Sequence, residues 1–211
     1  MIIVKELKEA IRRLTSEEKD KLIFRLLKKD VDLANRLLFE LVSCDSMEDR
    51  RKDARKDIER CIGMTRSYIT YTSPGMMLMD MRGASGYVNE HVRITKDRYG
   101  EVELHLFILK EYLKMYNEYF KDTPADRAFT LNIYLVARAF KIMVLLKKMH
   151  EDLMCEFADD LEETGRLFAD NPGLMKVAIH NGLDVNWLIG NKIPDHIDET
   201  EKDLRKRGYL K

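Results

Sequence analysis

Residues 102–120, VELHLFILKEYLKMYNEYF, decide the fold class before the rest of the chain is considered. Val102, Leu106, Leu109, Leu113, Tyr116 and Phe120 recur at spacings of three and four, the period of an α-helix. Ile108, Tyr112 and Tyr119 spread apolar surface onto the flanks of that stripe. A helix that is apolar on several sides must be surrounded, so its neighbours in sequence have to supply the walls.

Downstream, Thr123-Pro124-Ala125-Asp126 places a capping hydroxyl, a first-turn proline and an acid in the order that starts a helix. The stripe Phe129, Ile133, Val136, Phe140 and Val144 follows, falters at Lys147 and His150, and resumes with Leu153, Phe157 and Leu161. One kinked helix or two stacked helices over residues 125–168 both fit. Leu131 to Leu146 is the most apolar run, but Arg138 and Lys141 interrupt it, and it is expected to fall short of a membrane span. Toward the C-terminus, Asn171-Pro172 opens a helix that Gly182 can close, and Asp184 to Ile189 makes a turn or two. A last helix runs from about Asp198 to Arg207, capped by Gly208 with Tyr209-Leu210 folding back.

Upstream, Ser73-Pro74 opens a helix whose stripe is Met77, Met81, Ala84, Val88 and Val92. Gly83 and Gly86 weaken it by about 1 kcal/mol each against alanine and predict a close helix crossing or a kink there. The methionines of PGMMLMDM (residues 74–81) are expected to fill core, with an adaptable apolar surface as the alternative. Residues 64–73 are the least helical: Tyr68, Ile69, Thr70, Tyr71 and Thr72 favour β or irregular structure. Residues 46–60 alternate acids and bases around few apolar positions and read as a mostly solvated helix.

The first forty-odd residues read as three short helices. Ile3, Leu7, Ile11 and Leu14 form the first stripe; Thr15-Ser16-Glu17-Glu18 is a capping box. Leu22, Ile23, Leu26 and Leu27 share the next face, and Asp30 caps a third helix with the stripe Leu33, Ala34, Leu37, Leu38 and Leu41. The short connections predict a packed hairpin. With only 4 prolines and 10 glycines, the whole reads as an all-α fold, an irregular α-solenoid or a multi-helix bundle of about eight to ten helices. Residues 1–45 form an N-terminal hairpin lobe and 46–211 the main helical domain, or 1–211 is one continuous domain.

Two resemblances follow from these segments. LTSEEKDKLIFRLLKKDVDLANRLLFEL (residues 14–41) resembles helical-repeat proteins of the HEAT type and uncharacterised bacterial helical families; this implies packed helix pairs and no particular ligand. PGLMKVAIHNGLDVNWLIG (residues 172–190) is similar to the last part of a Cro/repressor-type helix-turn-helix domain, with Ala178, Gly182, Trp187, Leu188 and Gly190 in similar places. The base-reading helix of such domains has no counterpart and the preceding segment is acidic, so the likeness implies a shared helical corner.

The function classes narrow by composition. Lys+Arg and Asp+Glu both total 37, so no global field draws the chain to nucleic acid or an anionic membrane. Residues 151–211 are acidic by six and the rest basic by six, which predicts complementarity between parts of the molecule. Three cysteines without CxxC spacing argue against a disulfide framework and a zinc site. MIIVKELKEAIRRL reads as an amphipathic helix, not a signal peptide, so a cytoplasmic protein is expected.

Chemistry is sought first at the histidines. HExxH, ExxH, GxGxxG and GxxxxGK[ST] are absent, and GASG at 83–86 is one residue short of GxSxG. Glu101 and His105 share a helix face and form half a metal site at best. His91, His105 and His150 border apolar stripes and can converge with Glu111 or Glu151. With Tyr68, Tyr71 and Gly83–Gly86 they define the alternative of a small-molecule binder or enzyme. Arg50, Arg51, Arg55 and Lys56 define a second alternative, contact with nucleic acid, which Asp49, Asp53, Asp57 and Glu59 are expected to cancel. The leading expectation is a non-enzymatic protein-interaction or scaffold module with a protein partner, with no cofactor, metal, catalytic residue or membrane.

Overall fold

In the computed structural model, which describes residues 4–210, the chain order is α1 (Lys5–Arg13), α2 (Ser16–Leu27), α3 (Val31–Leu41), α4 (Met47–Ser67), a 3-10 turn (Ile69–Tyr71), α5 (Pro74–Thr95) and α6 (Arg98–Tyr119). There follow α7 (Ala125–Leu146), α8 (Glu151–Cys155), α9 (Ala158–Ala169), α10 (Pro172–His180), α11 (Asn186–Ile189) and α12 (Ile197–Lys206). No strand occurs among the described residues. The fold is all-α, with α8 and α11 as single turns beyond the longer helices. Ile3, the first member of the opening stripe, lies outside the described residues.

The apolar stripe of residues 102–120 lies in α6, where Leu104, Leu106, Leu109, Tyr112 and Leu113 are completely buried. Apolar residues on all sides of one rod demand neighbours all around it. Those neighbours are α4, α5, α7 and α9, while α7 is itself flanked by α5, α6, α10 and α12. Contacts thus close around two central helices, as in a bundle, rather than running only between successive pairs as in a solenoid.

Helix starts follow the local chemistry. Thr15 accepts from the backbone N–H of Glu18 at 3.3 Å while Glu18 accepts from that of Thr15 at 2.9 Å. Asp30, Ser73 and Asn171 each accept from the N–H three residues on. Thr123 does not cap: α7 begins at Ala125 with Pro124 before it and no side-chain cap. Of the stretch expected to be least helical, 64–73, residues 64–67 continue α4 and Ile69–Tyr71 form a 3-10 turn, not a strand. Residues 125–168 divide into α7, α8 and α9, with His150 Nδ1 accepting from the N–H of Asp152 at 3.4 Å.

Gly83 and Gly86 mark neither a crossing nor a kink: α5 runs unbroken through them, and a Cβ at either would meet nothing within 4 Å. The close crossing is instead at Gly165 in α9, where a Cβ would lie 2.5 Å from Ile189 Cγ1 and 3.0 Å from the Ile189 nitrogen of α11. The run at Leu131–Leu146 also belongs to a longer helix: α7 is long and apolar enough, by length and composition, to cross a membrane. Leu131, Leu135, Val136, Phe140, Met143 and Leu146 nevertheless face the bundle interior.

The acidic C-terminal third closes on the basic middle. Lys110 of α6 bonds Asp160 and Glu163 of α9, the latter at 2.9 Å; Lys114 reaches Glu163 at 2.9 Å and Lys147 reaches Asp195 at 2.8 Å. Gly182, with φ +76°, turns the chain after α10 in a conformation open to glycine. The end of the chain returns here: the Leu210 N–H donates to Asn181 Oδ1 at 3.0 Å, and Tyr209 meets His180 edge to face at 5.5 Å.

Candidate functional site

The three histidines that border the central stripes do not converge. His91 of α5 is buried and its Nε2 donates to Asp97 Oδ2 at 3.1 Å. Asp97 also caps α6, accepting from the Gly100 N–H at 2.9 Å, and receives the Arg51 guanidinium of α4 at 2.7 and 3.1 Å. One carboxylate therefore ties three helices together. Burial pushes its pKa up, but the hydrogen bonds from His91, Arg51 and Gly100 and the charge of Arg51 outweigh that and hold it at about 2. Such a saturated group has no free valence for a ligand, and its work is structural.

His105 of α6 is buried on the other side of the bundle, where Lys141 Nζ of α7 lies 2.8 Å from its Nε2. Burial, with the charges of Lys141 and Arg138, drives its pKa well below the usual 6.5. Its Nε2 is thus an acceptor and Lys141 the donor. Glu101, four residues earlier on the same face, stands 3.5 Å from the same ammonium. The Glu101–His105 pair, by spacing half a metal site at best, holds a lysine cation. His150 is exposed, beside Asp152 at 3.2 Å. Among the described residues no three His, Cys, Asp or Glu side chains gather as metal ligands would.

Tyr68 and Tyr71 also separate. The Tyr68 hydroxyl donates to Asp80 Oδ2 at 2.7 Å, which raises the phenol's pKa. Tyr71 is 89% exposed. Next to them Thr65 and Tyr112 share a buried hydroxyl pair at 3.2 Å, a polar pin between α4 and α6. His91 lines a cavity with Arg50 of α4 and Tyr87 of α5, not with Tyr68 or Tyr71.

The basic residues of α4 are all paired. Arg50 lies 3.4 Å from Asp45 and over the Phe39 ring; Arg51 binds Asp97 and Glu103; Arg55 bonds Glu59 at 3.0 Å with its guanidinium 3.3 Å from the Phe107 ring centre. Lys52, Lys56 and Arg60 pair with Glu48, Asp53 and Asp57 along the helix. The charge cancellation expected of the interleaved acids is realised, and no stripe of unpaired cations is left on α4 for a phosphate backbone.

What the periodicity did not reveal is how little α1–α3 bury. No residue in these helices is buried. Leu7, Phe24, Leu26, Leu38 and Leu41 are at least half exposed. α1 makes at most marginal contact with any other helix, and α2 packs mainly on α3. α3 holds to α5, where Asp32 forms an ion pair with Arg93 at 2.8 Å. The expected hairpin is formed but loosely packed, and its apolar stripes are largely open to solvent. No family model, curated protein or solved structure matches the chain.

Proposed function

We propose that the chain is a non-enzymatic protein-interaction module and that α1–α3 are its docking element for a protein partner. The observation that carries this is the combination of amphipathic helices with no buried residue. Soluble proteins rarely leave adjoining apolar stripes uncovered unless something covers them. The stripes recur at helical spacing along Leu7–Ile11 and Ile23–Leu26, so a partner's amphipathic helix, presenting apolar residues at i, i+3 and i+4, is the matching shape. Basic and acidic groups nearly balance over residues 5–45, so recognition would rest on apolar burial rather than on one sign of charge. The dispersal of His91, His105 and His150 and the pairing of the α4 cations leave the enzyme and nucleic-acid alternatives without a comparable observation.

The test places a photo-crosslinking amino acid at position 7, 11 or 24, and at the polar positions 9 and 20 as controls, in the cells that make the protein. A single protein cross-linked from the apolar positions and not from the controls supports the reading, provided Leu7→Glu with Ile11→Glu abolishes it. Cross-linking only to copies of the chain itself, or equally from both sets, overturns it.

A further inference from the structure

Along α7, residues Thr130, Ile133, Tyr134, Ala137, Arg138 and Lys141 form one face, and that face floors a cavity of about 400 Å³. Arg82 of α5, Arg205 of α12 and Leu210 complete its lining. Four cations therefore line one concavity. The guanidiniums of Arg82 and Arg138 lie 5.4 and 4.7 Å from the centre of the same Tyr134 ring, and Arg138 Nη2 also bonds the Tyr134 hydroxyl. One aromatic side chain thus has two like charges against its ring.

The charge balance inside the cavity is uneven. Among the described residues, Lys141 has Glu101 at 3.5 Å and Arg205 has Glu201 at 2.9 Å, whereas Arg82 and Arg138 form no ion pair. His105 adds no charge, since its imidazole is held neutral, and its Nε2 anchors the Lys141 ammonium. Among the described residues these two positive charges have no carboxylate partner within 4 Å. The cations of α4, by contrast, are all paired. Like charges brought together on a ring, without counter-charge, are the arrangement that a dianion relieves.

We propose that this cavity binds a small phosphomonoester, its phosphate held between Arg82 and Arg138 with Lys141 as a further donor. Planar guanidinium forks match phosphate oxygens in pairs, and the volume lies in the range of small-ligand sites. Ile133, Ala137 and Leu210 offer apolar wall for the organic part of the ligand. The site is on the face of the bundle built by α5, α7 and α12 and does not depend on the docking element proposed above.

The test titrates the full chain with inorganic phosphate and with phenyl phosphate at fixed ionic strength, by calorimetry and by amide chemical shifts. Saturable binding that moves the amides of Thr130 and Leu210, and that weakens roughly tenfold on Arg82→Gln or Arg138→Gln, is expected, the loss typical of one charged hydrogen bond. Arg60→Gln, remote on α4, should bind as the parent does. Arg82 is exposed, so its substitution does not threaten folding even if that of Arg138 does. The proposal falls if neither probe saturates, if Arg82→Gln binds like the parent, or if succinate binds as tightly as phosphate.

Discussion

At the scale of single residues, glycine has two opposite meanings in this chain. Gly83 and Gly86 stand mid-helix with open space where a Cβ would go. Alanine there removes backbone freedom from the unfolded chain and adds no clash. Gly83→Ala and Gly86→Ala should each stabilise the protein by about 1 kcal/mol in urea unfolding. Gly165 is the converse, because a Cβ there would press into Ile189 and within 3.1 Å of Leu188 Cβ. Gly165→Ala should cost about 1–3 kcal/mol, the usual range for overpacking. In the sequence all three are a glycine within a helical pattern. The two at 83 and 86 attract attention by being close together, yet the distinguishing fact is which helix passes nearby, and α9 meets α11 through partners more than twenty positions apart. The same blindness applies to the cationic cavity. Arg138 and Lys141 are visible as interruptions of an apolar run, but nothing local connects them with Arg82 or Arg205.

At the scale of elements, most helix starts were legible because a cap is a local contract between a side chain and an N–H three residues on. Thr15, Asp30, Ser73 and Asn171 honour it; Thr123 does not, since the helix begins after Pro124. Amphipathic period is less informative than it looks. The stripes of α1–α3 have the same spacing as those of α6, yet no residue of the former is fully buried. Period says that a face exists, and only tertiary contacts say whether it is covered. The consequence is a gradient of local stability. Amides of α1 and α2 should exchange with deuterium far faster than those of α6 and α7, at rates close to local fraying. Leu7→Glu should accordingly change the unfolding midpoint little, within the ±0.5 kcal/mol usual for surface sites, whereas Leu109→Ala in the centre of α6 should cost about 2–5 kcal/mol. Protection in α1 equal to that in α6 would show that the opening helices are packed more firmly than their exposure indicates.

At the scale of the whole molecule, the excess acid after residue 150 was legible as a count, and its use as α6–α9 bonding was not, because Lys110 meets Glu163 across 53 positions. Two buried groups link the bundle's stability to pH through the same kind of long-range meeting. His105 is held neutral by burial and by the Lys141 and Arg138 charges beside it, so its folded pKa lies well below 6.5. As pH falls below 6.5, the unfolded chain takes up a proton there and the folded chain does not. Unfolding is then favoured, by up to about 1.4 kcal/mol per pH unit. Asp97 acts in a lower window: with its folded pKa depressed from 3.8 to about 2, its stabilisation of about 2 kcal/mol is present above 3.8 and is lost as pH falls through 2. The windows are separate, so each can be assigned. His105→Gln keeps an acceptor for Lys141 and removes the titrating group. Its urea midpoints should be flat between about pH 6.5 and 5, where the parent's fall; Asp97→Asn should retain that fall and lose only the acid-end step. A parent protein whose midpoint does not move between 6.5 and 5 would mean that the imidazole takes up its proton in the fold, and that Lys141 has turned away from it toward Glu101.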